Sequence, residues 1–205
     1  MADRENPQLC LITPAEIDLD TFGDALAAVL DAVDVACLRL SLATRDEDRI
    51  ARAADAVRAV AHDRDIPLVI DTHVAIAERH GLDGVHLLDG ARSIRTARKA
   101  LGPDAIVGAF CGTTRHEGMN AGEAGADYVA FGPVGAVALA GTPAERDLFD
   151  WWSAMVEVPV IAEGGLTTGI VESLAPVTDF FAAGDEIWRA GDPAAAAKAL
   201  FAPIL

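Results

Sequence analysis

Long apolar runs are absent from this sequence, which argues against a membrane protein. The Ala-rich segments are interrupted by charged residues every few positions, so none reaches the length of a membrane span. The N-terminal MADRENPQ lacks the basic region and the apolar stretch of a signal peptide. We therefore predict a cytoplasmic protein without a membrane partner.

Basic residues are also scarce, at 16 against 32 acidic residues, and the formal net charge is −16. A surface this acidic repels phosphate backbones and anionic lipids, which argues against nucleic acid as a partner. The simplest interpretation of the excess charge is a solvated acidic coat that keeps the protein in solution.

Cysteine is limited to three residues, Cys10, Cys37 and Cys111, an odd number without CxxC spacing. This pattern argues against a disulfide framework or a zinc site, and it fits a reducing compartment.

What the sequence does have is a regular alternation of short apolar runs and helical stretches. The runs are mostly continuous rather than alternating, as expected of parallel strands covered by helices. The predicted strands are Leu9–Ile12, Val35–Leu40, Pro67–Ile70, Gly84–Leu87, Ala105–Phe110, Tyr128–Phe131, Val158–Ala162 and Phe180–Ala183.

Helices are predicted between these strands from apolar periodicity and from capping residues. Trp151 and Trp152 fall in one of them and are interpreted as packing anchors. The predicted helices are Asp46–His62, Ser93–Leu101, Thr114–Ala124, Phe149–Val156 and a last one that starts at Asp192-Pro193.

Eight βα units at a spacing of about 25 residues predict a single (β/α)₈ TIM barrel over residues 1–205. A hydrophobic content of 52% suffices for one core, and no linker divides the chain. The alternative is a doubly wound open sheet, which would show a break in the pattern at its switch point.

Segments along nearly the full chain resemble the thiamine phosphate synthase family, which includes thiazole tautomerase relatives. The most specific are GLDGVHL at 81–87 and EAGADYVAFGPV at 123–134. The others are LCLIT at 9–13, CLR at 37–39, IPLVID at 66–71, LGPDAIVG at 101–108 and PVIAEGG at 159–165.

The resemblance implies a TIM barrel that joins a pyrimidine diphosphate to a thiazole phosphate with loss of diphosphate. Magnesium assists this reaction in the family, so Mg²⁺ is the cofactor that the resemblance implies. The enzyme's task is then mostly electrostatic, because charge separates as the diphosphate leaves.

Several family positions are replaced in this sequence. Only Arg39 remains of the basic pair after the second strand, since Ser41 takes the second position. The two metal-binding aspartates align with Thr72 and Ala91, and no lysine occurs between Lys99 and Lys198. The histidine of the tautomerase relatives aligns with Pro133. We therefore assign no metal ligands.

Acidic residues stand instead at four predicted strand ends: Asp71, Asp89, Glu163 and the pair Asp185 and Glu186. If these acids face Arg39, the barrel mouth suits a cationic or neutral ligand, or a metal held by carboxylates. The alternative is that several of them belong to the acidic coat.

Three residues are candidate catalytic groups: Arg39, His86 and Asp71. Arg39 meets either an anionic ligand or a mouth acid, and the ion pair is favoured because buried charges need partners. His86 is a general acid or base, or a hydrogen-bonded core histidine. The candidate ligand-binding residues are Thr72, His73, Asp89, Cys111, Gly132, Glu163, Gly164, Gly165 and Asp185.

Two of these candidate features favour opposite kinds of ligand. Backbone amides freed by Gly164 and Gly165 would cradle a phosphate, whereas Asp185 in the strand-eight loop would repel one.

Three functions remain open. The first is a divergent, thiamine phosphate synthase-like protein with weak or no synthase activity that binds a small molecule related to thiamine precursors. The second is an active transferase of the family or a thiazole-handling enzyme, and the third is a non-enzymatic binding or structural protein. A homodimer is an open alternative to a monomer.

Overall fold

A computed structural model describes residues 6–137 and 141–205 of the chain. Eight parallel strands form a closed barrel in sequence order, and β1 pairs with β8 to complete it. The strands are β1 Gln8–Ile12, β2 Val35–Leu40, β3 Leu68–Asp71, β4 Gly84–Leu87, β5 Ile106–Phe110, β6 Tyr128–Phe131, β7 Val160–Glu163 and β8 Phe180–Ala183. The predicted (β/α)₈ fold is confirmed, and the open sheet is excluded.

Two strand ends differ from the prediction in a way that matters for the site. Asp71 is the last residue of β3 and pairs with His86, and Glu163 is the last residue of β7 and pairs with Ala182. Both acids are therefore fixed by the sheet rather than carried on loops.

Helices cover the outside of the barrel. They are α1 Phe22–Leu30, α2 Glu47–His62, α3 Val74–His80, α4 Ile94–Leu101, α5 Arg115–Ala124, α6 Arg146–Met155, α7 Thr168–Leu174, α8 Asp185–Trp188 and α9 Pro193–Phe201, with a 3₁₀ turn at Ala175–Val177. Within the described residues, no helix is long and apolar enough to cross a membrane.

Two of the three predicted capping side chains accept hydrogen bonds at their helix starts: Thr114 from the first turn of α5 and Asp192 from that of α9. Asp46, predicted as the first residue of a helix, also caps α2. Ser93 does not cap α4, because its hydroxyl donates to Asp89 instead.

The fully buried Trp152 anchors α6 against the barrel, as predicted for packing. Its ring lies edge-on to Phe131 of β6 at 5.1 Å, and its indole N–H donates to Val158. The helix begins at Arg146, earlier than the predicted Phe149.

Inside the barrel, small residues leave room for a few large ones. A Cβ on Gly108 would collide with the ring of Tyr128, so glycine is required where this ring crosses the interior. Cys10, Ala130, Ile161 and Ala182 pack around it, with Cys37 and Phe180 partly buried beside them. This packing brings the Tyr128 hydroxyl to His86.

Candidate functional site

Arg39 of β2 extends into the barrel interior and is 9% exposed. Its Nη1 donates to Oε2 of Glu163 at 2.7 Å, and its Nη2 donates to Oε1 at 3.4 Å. On the other side, Nε lies 3.5 Å from Oδ1 of Asp71. The predicted ion pair between Arg39 and a mouth acid is confirmed, with Glu163 as the main partner.

The two carboxylates keep this guanidinium charged. Burial alone would lower the pKa of Arg39, but the charges of Glu163 and Asp71 raise it. One cation therefore faces two acidic side chains across β2, β3 and β7.

His86 of β4 is completely buried and bonded at both ring nitrogens. Nη1 of Arg39 lies 2.9 Å from Nε2, and the Tyr128 hydroxyl lies 2.9 Å from Nδ1. Because a guanidinium can only donate, Nε2 accepts, and the neutral ring carries its proton on Nδ1. Burial, followed by the charge of Arg39, lowers the pKa of His86 well below its ordinary value.

This arrangement favours the hydrogen-bonded core histidine over the acid-base residue. Both nitrogens already have partners, and the side chain has no exposed surface through which a ligand would reach it.

Asp71 lies at the mouth as the second acidic partner of Arg39. Its buried Oδ1 makes no hydrogen bond within the described residues, and it lies 3.5 Å from Nε of the Arg39 guanidinium. Burial raises the pKa of the Asp71 carboxyl, and Arg39 and Ser41 partly offset this. The side chain lines a cavity of about 140 Å³ together with Ser41, Thr72 and His73.

Thr72 follows directly in a left-handed backbone conformation, with φ of 56°. This region is unfavourable for a β-branched residue, and such strain is concentrated at functional sites. His73 comes next, half-buried at the start of α3. The two predicted residues and Asp71 thus lie together at one corner of the mouth.

The predicted ring of acids is wrong in its arrangement. Asp89 is exposed and accepts from the Ser93 hydroxyl at 2.7 Å, and Asp185 pairs with Arg189 at 2.5 Å on the surface. Of the predicted acids, Asp71 and Glu163 approach Arg39, because each is the last residue of a strand and its side chain faces the barrel interior.

Glu186 has a different set of partners. Its carboxylate accepts from the backbone N–H groups of Gly165, Leu166 and Gly184 at 2.8 to 3.0 Å. Gly164 and Gly165 were predicted to free backbone amides for a phosphate. The amides of Gly165 and Leu166 instead bind the carboxylate of Glu186.

Gly132 and Gly165 allow two backbones to approach closely. A Cβ on Gly132 would collide with the carbonyl oxygen of Glu163, and one on Gly165 would lie 2.9 Å from the Cα of Gly135. The structure therefore gives both glycines a packing role, since they let the β6–α6 loop lie against the end of β7.

Cys111 lies in the core between barrel and helices rather than at the mouth. The side chain is buried, and its thiol donates to the Ala109 carbonyl. Burial, with a further contribution from Glu117, raises its pKa to about 12. A thiol in this position is inert, which removes Cys111 from the ligand-binding candidates.

The residues present do not fit the magnesium site that the resemblance implies. Thr72 and Ala91 offer no carboxylate, Asp71 is directed at Arg39, and Asp89 is bonded to Ser93. Among the described residues, no three histidine, cysteine or acidic side chains group as metal ligands.

Sequence reasoning missed Tyr128 and the role of Glu186. The strand glycine Gly108 is a signal for the first, because it marks a close approach inside the barrel. The second depends on contacts between residues about 20 positions apart, which no local pattern reveals.

A cavity of about 680 Å³ lies at the same end of the barrel. It is bounded by the β1–α1 loop, the β2–α2 loop and α2, and its charged lining includes Glu16, Asp18, Arg49 and Arg52. None of the predicted site residues lines it, so the inward-facing groups around Arg39 remain the candidate site.

Comparisons with known proteins agree with this architecture. The family model described as "Thiamine monophosphate synthase" matches residues 9–183. The thiamine-phosphate synthase of Rhodospirillum centenum is 41% identical over 196 residues, covering 93% of this chain and 94% of the relative. That of Hyphomonas neptunium is 38% identical over 208 residues, covering 96% of this chain and 93% of the relative.

Among solved structures, the thiamine phosphate pyrophosphorylase of Pyrococcus furiosus superposes with a TM-score of 0.83 at 20% identity. The match covers 96% of this chain and 95% of that one. With the family model spanning β1 to β8 and close relatives covering both chains almost completely, this chain belongs to the thiamine monophosphate synthase family.

Proposed function

We propose that this chain is a small-molecule-binding member of the family, associated with thiamine metabolism, with little or no synthase activity. If it turns over, it acts as a transferase of the thiamine phosphate synthase type. The observation that carries the proposal is the state of Arg39, whose Nη1 hydrogens are used by Glu163 and His86.

Diphosphate departure requires positive charge at the mouth, because the leaving group gains charge as the bond to the pyrimidine breaks. The guanidinium inside the barrel is instead neutralised by Glu163 and faces a second acid, Asp71. A diphosphate brought to this position would meet two acidic side chains for one cation.

Magnesium would normally supply the missing positive charge. The family positions for its ligands hold Thr72 and Ala91 here, and neither side chain replaces a carboxylate. Among the described residues around Arg39, neither an unpaired cation nor a set of metal ligands is available to stabilise a departing diphosphate, and no step through a metal is part of the proposal.

The acidic group that lines the cavity is Asp71. Its half-buried carboxylate suits a ligand with an N–H or O–H donor, or one with a positive charge. This supports binding of a neutral or cationic ring beside Ser41, Thr72 and His73.

An active synthase is the second candidate. The observation that favours it is the 41% identity to a relative named thiamine-phosphate synthase across nearly the whole chain. Residues other than those of the family would then stabilise the departing diphosphate. Overall sequence identity does not show whether they do so.

A synthase assay with pyrimidine diphosphate, thiazole phosphate and Mg²⁺ separates the two. Ordinary enzymes turn over at roughly 1 to 1,000 s⁻¹, and we expect a rate at least about a hundredfold below that range. The Rhodospirillum centenum relative, assayed alongside, is the positive control. Turnover by this chain at an ordinary rate would remove the proposal in favour of the active synthase.

A further inference from the structure

The end of β8 carries a carboxylate that is held by backbone amides rather than by a cation. Oε1 of Glu186 accepts from the amides of Gly165 at 2.8 Å and Leu166 at 3.0 Å. Oε2 accepts from the amide of Gly184 at 3.0 Å. Both oxygens of one side chain thus join the loop after β7 to the loop after β8.

The backbone is arranged to make these amides converge. Gly164 and Gly165 have φ of 81° and 73°, which turns successive N–H groups toward one point after β7. Leu166 and Gly184 are buried, so their amides need a partner in this position. Converging amides of this kind bind anions.

In TIM barrels generally, the loops after the seventh and eighth strands often form the phosphate site of a ligand. Here the same two loops surround an anion that belongs to the chain. Asp185, next to it in sequence, pairs with Arg189 on the surface, and among the described residues no cation forms an ion pair with the Glu186 carboxylate.

The side facing the β6–α6 loop leaves little extra room. A Cβ on Gly165 would lie 2.9 Å from the Cα of Gly135 and 3.1 Å from a methyl of Val137. A phosphate is larger than a carboxylate, and it would have to displace Glu186 before reaching the three amides.

We infer that Glu186 takes the place of a ligand phosphate and that the ligand of this barrel is an unphosphorylated small molecule. The inference rests on the proposed function, which places ligand binding at the barrel mouth. Glu186 competes as an intramolecular group, two residues from Gly184, and therefore at a high effective concentration. If displaced, it would also remain as a negative charge beside the phosphate.

The test is the binding of inorganic phosphate to the full chain, measured by calorimetry. We expect no binding to the wild type at millimolar phosphate. Glu186→Ala frees three amide donors and removes one negative charge, and we expect its affinity to rise at least tenfold. Asp185→Asn is the matched control, because it removes a neighbouring charge without freeing these amides, and we expect no gain.

Two calorimetric results would overturn the inference. One is wild-type phosphate binding as tight as that of Glu186→Ala, and the other is an equal gain in Glu186→Ala and Asp185→Asn. The wild type also provides a test that does not depend on the folding of a variant. Added phosphate should leave the amide NMR signals of Gly165, Leu166 and Gly184 unchanged, and a joint saturable shift would contradict the inference.

The synthase assay keeps this inference separate from the proposed function. Ordinary turnover with unresponsive amides would remove the proposed function and the unphosphorylated ligand, and it would leave Glu186 as the occupant of the amide site. Absent turnover with phosphate bound at these amides would remove the inference alone.

Discussion

Arg39 shows how a single buried charge organises the interior of this barrel. Its guanidinium bonds Glu163 and His86 and lies 3.5 Å from Asp71, so four strands are connected through one side chain. A buried ion pair of this kind is weak evidence for stability, because desolvation offsets much of the attraction. Its effect here is to occupy the guanidinium, which leaves Asp71 as the acid that lines the adjacent cavity.

His86 gives a prediction on pH, since its ring is buried and neutral in the folded chain. The pKa of His86 is lowered on folding, so the unfolded chain binds a proton below about pH 6.5 that the folded chain does not. The unfolding free energy must then fall as the pH falls below about 6.5, by up to about 1.4 kcal/mol per pH unit.

The variant His86→Gln should lose this part of the slope, because glutamine does not titrate and its amide oxygen still accepts from Arg39. Urea unfolding at several values between pH 5 and 6.5 measures the slope. His116→Gln, at an exposed position, is the control and should keep the wild-type slope. A His86→Gln slope equal to that of the wild type would show that His86 is protonated in the folded chain.

At the scale of the element, the strands were predictable because each is an apolar run covered on its outer face. Residues such as Leu38 and Leu40 of β2 are buried under the helices, which leaves a continuous signal in the sequence. The strand ends were less predictable. The sequence places Asp71 and Glu163 just after their predicted strands. In the structure they pair with His86 and Ala182 and are the last residues of β3 and β7.

Helix starts depended on which partner a side chain finds. Thr114 caps α5 as its position suggests, whereas the Ser93 hydroxyl donates to Asp89 in the preceding loop. The contact of the Trp188 indole N–H with the Ile12 carbonyl connects α8 to β1 across 176 positions. Local patterns carry no information on such pairs.

The β3–α3 turn gives a prediction for an element. Thr72 has φ of 56°, a conformation in which its branched side chain adds strain. Because the side chain is exposed, its removal costs the protein little packing. Thr72→Gly should therefore raise the unfolding free energy, by about 1 kcal/mol, since glycine adopts this conformation without a steric cost.

Thr96 supplies the matched control, because it is an exposed threonine within α4. Thr96→Gly should lower the unfolding free energy by roughly 0.5 kcal/mol, as glycine is a poorer helix former. Denaturant unfolding of both variants measures the two signs. A destabilised Thr72→Gly protein would contradict the view that this turn is strained.

For the whole molecule, closure of β1 against β8 makes one barrel of the described residues. We propose that residues 1–205 form a single domain on this basis. The fold was predictable because the same βα pattern recurs eight times, so an error in one unit changes little. The site was predictable only in part, because its residues come from β2, β3, β4, β6 and β7, and their pairing depends on closure.

The acidic composition has two separate components at this scale. Most of the net charge of −16 is consistent with a solvated coat, as Asp89 and Asp185 on the surface illustrate. A smaller component acts inside the site, where Asp71 and Glu163 face Arg39 and Glu186 binds the amides. Sequence position alone does not separate these components, since all five acids follow or end strands.

The most direct test of this account compares thiazole phosphate with the corresponding thiazole alcohol in a thermal-shift titration of the wild type. At a concentration about 100-fold above the dissociation constant, a ligand stabilises the folded state by about 2.7 kcal/mol, or on the order of 5–10 °C for a chain of this size. We expect the alcohol to raise the melting temperature. We expect the shift with the phosphate to be no larger than the shift with the alcohol. A large shift with the phosphate and none with the alcohol would contradict this account.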